Sequence, residues 1–346
     1  GQTNVAGFAC DAASSSTNTV RYITFKGLTF TDLDNSAGTV DSGVVYALRL
    51  RGDKIFGGTA PVEHFTLEGA AIDEVLSGAN STSAVWYNEQ ADHLKMWNCS
   101  VTNTTYALKA KPNLHAFESY GTGFVSLQSN TLSSTAGGFY EKEGYKAGVG
   151  VGISSRFNIL NSGQILISTQ GTSPLMDFHI MTNNIFASTN ETSHSTPIGL
   201  TQSSTSFVST KTQIASNTFY NYNISSLGHI TTTAAGYEGL IMFNNIFNES
   251  AVAIRIEPNT DTPEYWDYNF YQNNILTTQP RVANTAFPLI DIATLQSTSS
   301  FAQNSTSGNP VFSNAGIGDF TLASGSPALT GGVSGTQQGA YTASFI

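Results

Sequence analysis

Residues 241–250 read "IMFNNIFNES", an apolar run with two adjacent asparagines, Asn244 and Asn245, at its centre. A buried amide without partners costs a few kcal/mol. The run therefore lies at a surface, or inside something that supplies hydrogen-bond partners. Related segments along the chain decide between these. Aligned on an apolar-x-apolar strand followed by a turn position and another apolar residue, they are "ITFKGLTF" (23–30), "FTLEGAAI" (65–72), "LKMWNCSV" (94–101) and "VSLQSNTL" (125–132). They continue as "ISSRFNIL" (153–160), "FHIMTNNI" (178–185), "TQIASNTF" (212–219), "LIMFNNIF" (240–247) and "NFYQNNI" (269–275).

The turn position holds Leu28, Ala70, Cys99, Asn130, Asn158, Asn183, Asn217, Asn245 and Asn273, at spacings of 42, 29, 31, 28, 25, 34, 28 and 28. Apolar alternation at period two and the β-branched and aromatic content argue strands. No long apolar stripe of helical period is present, and Gly, Ser, Thr and Asn between the segments would break one. A β-sandwich would want turns every 8–12 residues, a tighter rhythm than this. Coils stacked in parallel satisfy the pattern, because equivalent positions then lie about 4.8 Å apart, like on like. Identical amides in such a column donate to one neighbour and accept from the other. The expected ladder is Asn130, Asn158, Asn183, Asn217, Asn245 and Asn273, with Asn244 turned outward and the first three coils closed by apolar packing.

This pattern resembles the right-handed parallel β-helix of the pectate-lyase-like superfamily, whose turns carry internal asparagine ladders. The resemblance covers residues 20–276. The segments "NPVF" (309–312), "GDFTL" (318–322), "GSPAL" (325–329) and "GAY" (339–341) look like the closing segment of many secreted bacterial β-helix proteins. The expected architecture is one all-β solenoid of about nine to eleven coils. Residues 1–20 would form an amino-terminal cover, 21–300 the coils, and 301–346 the closing coil and carboxy-terminal cover. The superfamily includes polysaccharide lyases and surface proteins without known activity.

Composition narrows the function. Only 11% of residues are charged, whereas Ser, Thr and Asn number 40, 42 and 28. Net charge is -10 with no basic cluster, which argues against nucleic acid as a partner. Residues 1–156 hold 11 basic and 14 acidic residues, and residues 157–346 hold 3 and 10, so a site for an anion belongs in the first half. No apolar run of about 18 residues exists to span a bilayer. The abrupt start at Gly1 is compatible with a removed signal peptide and an extracellular or cell-surface location. Two cysteines, Cys10 and Cys99, are read first as free buried thiols. The seven N-x-S/T sequons match the number that composition alone gives and carry no argument for glycosylation.

Of the polygalacturonase-type motifs, only Asn259-Thr260-Asp261 is present, without the paired carboxylates that inverting hydrolysis needs. A lyase needs a cation to neutralise a uronate and a base to take the neighbouring proton. Residues 107–120 and 139–157 could supply these, with His115, Lys142, Lys146 and Arg156 as candidates; the alternative is solvated turn residues. Glu257, Asp261, Glu264 and Asp267 are the acidic residues of "RIEPNTDTPEYWDYN" (255–269), and Ca2+ is the cation such a loop would take, although no cofactor is required. His64, His93, His179 and His194 show no metal-ligand spacing, and His179 is expected to face outward between Phe178 and Ile180. The dense aromatics Tyr265, Trp266, Tyr268 and Tyr271 suggest either packing or a carbohydrate patch. Two functions remain open: a structural, self-assembling or adhesive surface solenoid, and a secreted polysaccharide lyase.

Overall fold

Each repeat becomes a strand, a single left-handed residue and a second strand. In the opening stretch these are Leu240–Phe243, Asn244 at φ 56° and Ile246–Asn248. The same kink recurs at Gly27, Gly69, Asn98, Ser129, Phe157, Asn183, Ser216 and Tyr268. A left-handed non-glycine residue costs about 1 kcal/mol or more. Contacts along the stack offset that cost, since the kink N–H of one coil donates to the next, as Asn244 does to the Tyr268 carbonyl at 3.1 Å.

The computed structural model describes residues 5–11, 20–30, 33–34, 45–51, 62–72, 75–77, 83–89, 91–106, 114–120, 124–134, 139–142, 152–161, 165–169, 177–187, 197–202, 210–220, 230–232, 239–248, 254–256, 263–272 and 292–341. Their strands form three long parallel sheets of 9, 10 and 12 strands, each coil adding a strand to each sheet in turn. The kinks join the second sheet to the third. A parallel β-helix with an internal asparagine ladder is therefore the architecture. Within the expected amino-terminal cover, Val5–Asp11 pairs with Val45–Arg51 as the edge strand of the first sheet.

Strand alternation fills the interior. On the third sheet, Phe186, Phe219, Phe247 and Tyr271 point inward and stack at 4.9, 4.9 and 5.3 Å, close to the strand spacing. On the second sheet the inward column includes Leu67, Met96, Leu127, Met181, Ile214, Met242 and Trp266. The Trp266 Nε1–H donates to the Tyr271 hydroxyl at 2.9 Å, so these two aromatics are a core pair.

The ladder runs from Cys99 through Asn130, Asn158, Asn184, Asn217, Asn245 and Asn269 to Ser305. Its geometry repeats from Asn158 to Asn245. Asn245 Oδ1 accepts from the backbone N–H and the side-chain amide of Asn217, at 3.0 and 3.1 Å. Asn245 Nδ2 donates its two hydrogens to Asn269 Oδ1 and the Ile214 carbonyl, both at 2.9 Å. Every hydrogen-bonding position of the buried amide is thus filled along the stack.

Two of the expected rungs are corrected. Asn183 is the kink residue at φ 56°, and its neighbour Asn184 enters the ladder. In the next-to-last rung Asn269 takes the place expected for Asn273, which lies outside the described residues.

Residues 301–346 were expected to form the closing coil and the carboxy-terminal cover; within them, residues 309–341 run along the side of the third sheet. Phe312–Asn314 and Asp319–Leu322 form an antiparallel pair. Phe320 and Ala340 pack with Ile185 and Ala187, while Leu322 and Ala328 pack with Ile246 and Phe270. These contacts explain the outward column of the third sheet. It reads Thr29, Ala71, Ser100 and Thr131 in the first coils, where all but Ser100 are exposed, then Ile159, Ile185, Thr218, Ile246 and Phe270 beneath the strap.

The strap also resolves the second asparagine of the opening stretch. Asn244 does turn away from the core, but it is buried because the strap covers it. Its Oδ1 accepts from Val333 N–H at 2.9 Å, and its carbonyl accepts from Gly339 N–H at 2.6 Å.

Candidate functional site

Strand periodicity builds a valley on the outer face of the second sheet in the first coils. Residues i, i+2 and i+4 share a face, which places three columns side by side. Tyr22, His64 and His93 form one wall, and Lys26, Glu68, Trp97 and Gln128 the other. Between them the floor is Thr24, Thr66, Lys95 and Ser126. Mostly small floor residues beside the ring wall leave an open cavity of about 440 Å³, with Gln128 at its far rim.

The ring wall is regular. Tyr22 and His64 stack at 4.6 Å and 6°, and His64 and His93 at 4.5 Å and 29°. All three are left-handed, at φ 57°, 55° and 53°. Histidine is enriched in that conformation, whereas tyrosine there is unusual. The opposite wall carries the Lys26–Glu68 ion pair at 2.9 Å, where each charge neutralises the other. Lys95 Nζ lies 4.4 Å from the centre of the Trp97 ring, a cation–π contact. Among the described residues no carboxylate pairs with Lys95. The valley fades in later coils, where Ile180 and Ile241 occupy the floor column.

The lyase candidates are spread over the coil. His115 lies near the start of Leu114–Tyr120, and Lys142 at the end of Phe139–Lys142, in adjacent strands of the first sheet. Lys142 stands one residue beyond the Ser119–Glu141 pair, which separates the two by about 16 Å along the strand direction. Arg156 is exposed at the end of Gly152–Arg156 in the second sheet. Parts of these stretches are thus strand rather than turn, and Lys146 lies outside the described residues.

Of the acidic candidates, Glu257 and Asp261 also lie outside the described residues, and Glu264 is exposed. Asp267 is nearly buried and serves the last coil. Its Oδ1 accepts from the N–H groups of Tyr268 and Asn304 at 2.8 and 2.7 Å, and its Oδ2 from Asn304 Nδ2 at 2.7 Å. Among the described residues, no three His, Cys, Asp or Glu side chains gather as a metal site. Tyr265 is 38% exposed beside Phe243, whereas Trp266 and Tyr271 are interior. The dense aromatic stretch is therefore packing at its centre. Cys99 is a buried free thiol, and burial raises its pKa.

His179 faces inward, contrary to expectation, because the strand register sets it beside Thr212 in the core. Among the described residues, neither ring nitrogen has a hydrogen-bond partner, and neither does Thr212 Oγ1. Burial lowers the His179 pKa from 6.5 to about 4. The unfolded chain therefore binds this proton at higher pH than the folded one. Stability is present above pH ~6.5 and falls, by about 3 kcal/mol, as pH drops toward ~4. His179→Leu is expected to raise stability at pH 7 by about 1 kcal/mol or more, through loss of the unpartnered nitrogens. It is also expected to flatten the acid limb. Urea midpoints at pH 7 and pH 4.5 test this, and an unchanged difference between the two would contradict it.

The valley was missed because the histidines were compared by local spacing. His64 and His93 stand just before the first apolar residue of their repeats, as Tyr22 does before Ile23. Extending the alignment by one residue stacks all three. Comparison with known proteins gives no match to a protein-family model, a curated protein or a solved structure. The functional reading therefore rests on the geometry.

Proposed function

We propose that the chain is an extracellular or cell-surface structural β-solenoid that acts as a rigid scaffold, self-associating or adhering to polysaccharide. The ladder carries this reading. Amides bonded rung to rung from Asn130 to Asn269, with a strap locked against the side, resist bending and local unfolding. A Ser-, Thr- and Asn-rich composition of low charge suits a hydrated surface outside the cell. The ladder and the closing segment also support membership of the pectate-lyase-like superfamily.

The second reading, a secreted polysaccharide lyase, is favoured by one observation: the valley presents Lys95, His64 and His93 together at an open surface. Light scattering and negative-stain microscopy separate the two readings. Rods or oligomers growing with concentration support the scaffold. A monomer that generates unsaturated-sugar absorbance from uronate polymers would replace it with the lyase.

A further inference from the structure

We infer that the valley on the second sheet is a binding site for an anionic saccharide chain running along the solenoid axis. This deepens the adhesive reading above and rests on it.

Three features point to that ligand. The valley crosses the strands, so a linear ligand running along it meets one outward residue of each column at every coil, about every 4.8 Å. Its floor offers the hydroxyls of Thr24, Thr66 and Ser126, with the Gln128 amide at the rim, which suits a hydroxyl-rich ligand better than an apolar one. Lys95 supplies the charge. It is half-buried against Trp97 and has no carboxylate partner among the described residues, whereas Lys26 is already neutralised by Glu68.

An ammonium without an ion-pair partner, set in a partly desolvated groove, gains more from a carboxylate or sulfate than a solvated one would. The stacked rings of Tyr22, His64 and His93 give that wall a polar aromatic face at one-coil spacing. Nothing in this arrangement requires bond cleavage; binding alone is assigned. The site lies in the first half of the chain, where most of the basic residues are.

Isothermal titration of the full chain with a uronate hexasaccharide, a heparin hexasaccharide and neutral maltohexaose tests the site and distinguishes carboxylate from sulfate recognition. At least one anionic ligand is expected to bind more tightly than maltohexaose. Lys95→Gln is expected to weaken that binding at least tenfold, and Trp97→Ala to weaken it as well. Lys211→Gln, which removes an exposed cation outside the valley, should leave it unchanged. Circular dichroism of each variant confirms that it is folded. No anionic binding, equal binding of maltohexaose, or binding indifferent to Lys95→Gln would each overturn the site. Microscopy on the same samples reports the scaffold separately, so rods that bind no saccharide would remove the valley and leave the scaffold standing.

Discussion

Asn245→Leu is expected to lower unfolding free energy by about 3–5 kcal/mol, among the largest effects of any single replacement in this chain. Leucine approximates the size of asparagine but neither donates nor accepts. The change strands the Asn217 N–H and the Ile214 carbonyl, and removes one partner each from Asn217 Nδ2 and Asn269 Oδ1. A buried polar group left without a partner costs about 1–3 kcal/mol. Two such groups plus two weakened ones give the estimate, and leucine's added apolar burial offsets only part of it. The adjacent Asn244→Ala should cost less, because Asn244 serves the strap and not the ladder. Urea denaturation of both variants checks the order. Equal losses would mean that the ladder is no better satisfied than the turn.

Removal of residues 309–346 is the second large effect. It uncovers Ile185, Ile246 and Phe270, and it frees Asn244 from Val333 and Gly339. Each large apolar side chain returned to water forfeits about 1.5–3 kcal/mol, while the released segment regains conformational entropy. The truncated chain should therefore bind a hydrophobic dye such as ANS at neutral pH and unfold at lower urea.

Two point variants isolate the cause. Phe320→Ala removes a 4% exposed anchor between Ile185 and Tyr220, at a cost of about 3 kcal/mol. Gly339→Ala places a Cβ 2.5 Å from Ile246 Cδ1 and 2.8 Å from Thr218 Oγ1, at a φ of 79° that alanine rarely adopts. Both should raise dye binding toward the truncated level. If the truncated chain binds no dye and keeps its urea midpoint, the strap is not what covers this face.

These two effects also mark how far the amino-acid pattern could be read. Strands and stacking were legible because apolar alternation and a one-coil period coincide. The register of the ladder was legible only where a single asparagine or an unambiguous apolar pair fixed it. In "FHIMTNNI" the template took Phe178 as the first inward residue, but the slot belongs to His179, which shifts the rung to Asn184. A polar residue in an inward position broke the rule on which the alignment depended.

Near the carboxy end the coil from Asn245 to Asn269 is only 24 residues, and its strand is "YWD". The apolar template slid past it to the next asparagine pair. The strap leaves a trace in the sequence of the face it covers. Isoleucine and phenylalanine recur at outward positions of the third sheet from Ile159 to Phe270, where an uncovered face keeps threonine, alanine and serine. The closing motifs alone do not distinguish packing along the side from packing over an end. The valley needed long-range stacking of Tyr22, His64 and His93, which local spacing does not encode.

Side-chain amide hydrogen exchange in asparagine-labelled protein, followed by NMR, tests the stacked ladder most directly. The account predicts slow exchange for Asn130, Asn158, Asn184, Asn217, Asn245 and Asn269, with fast exchange for exposed Asn98. Asn184 exchanging as fast as Asn98 would contradict it, because an amide outside the ladder has no rung above and below to protect it.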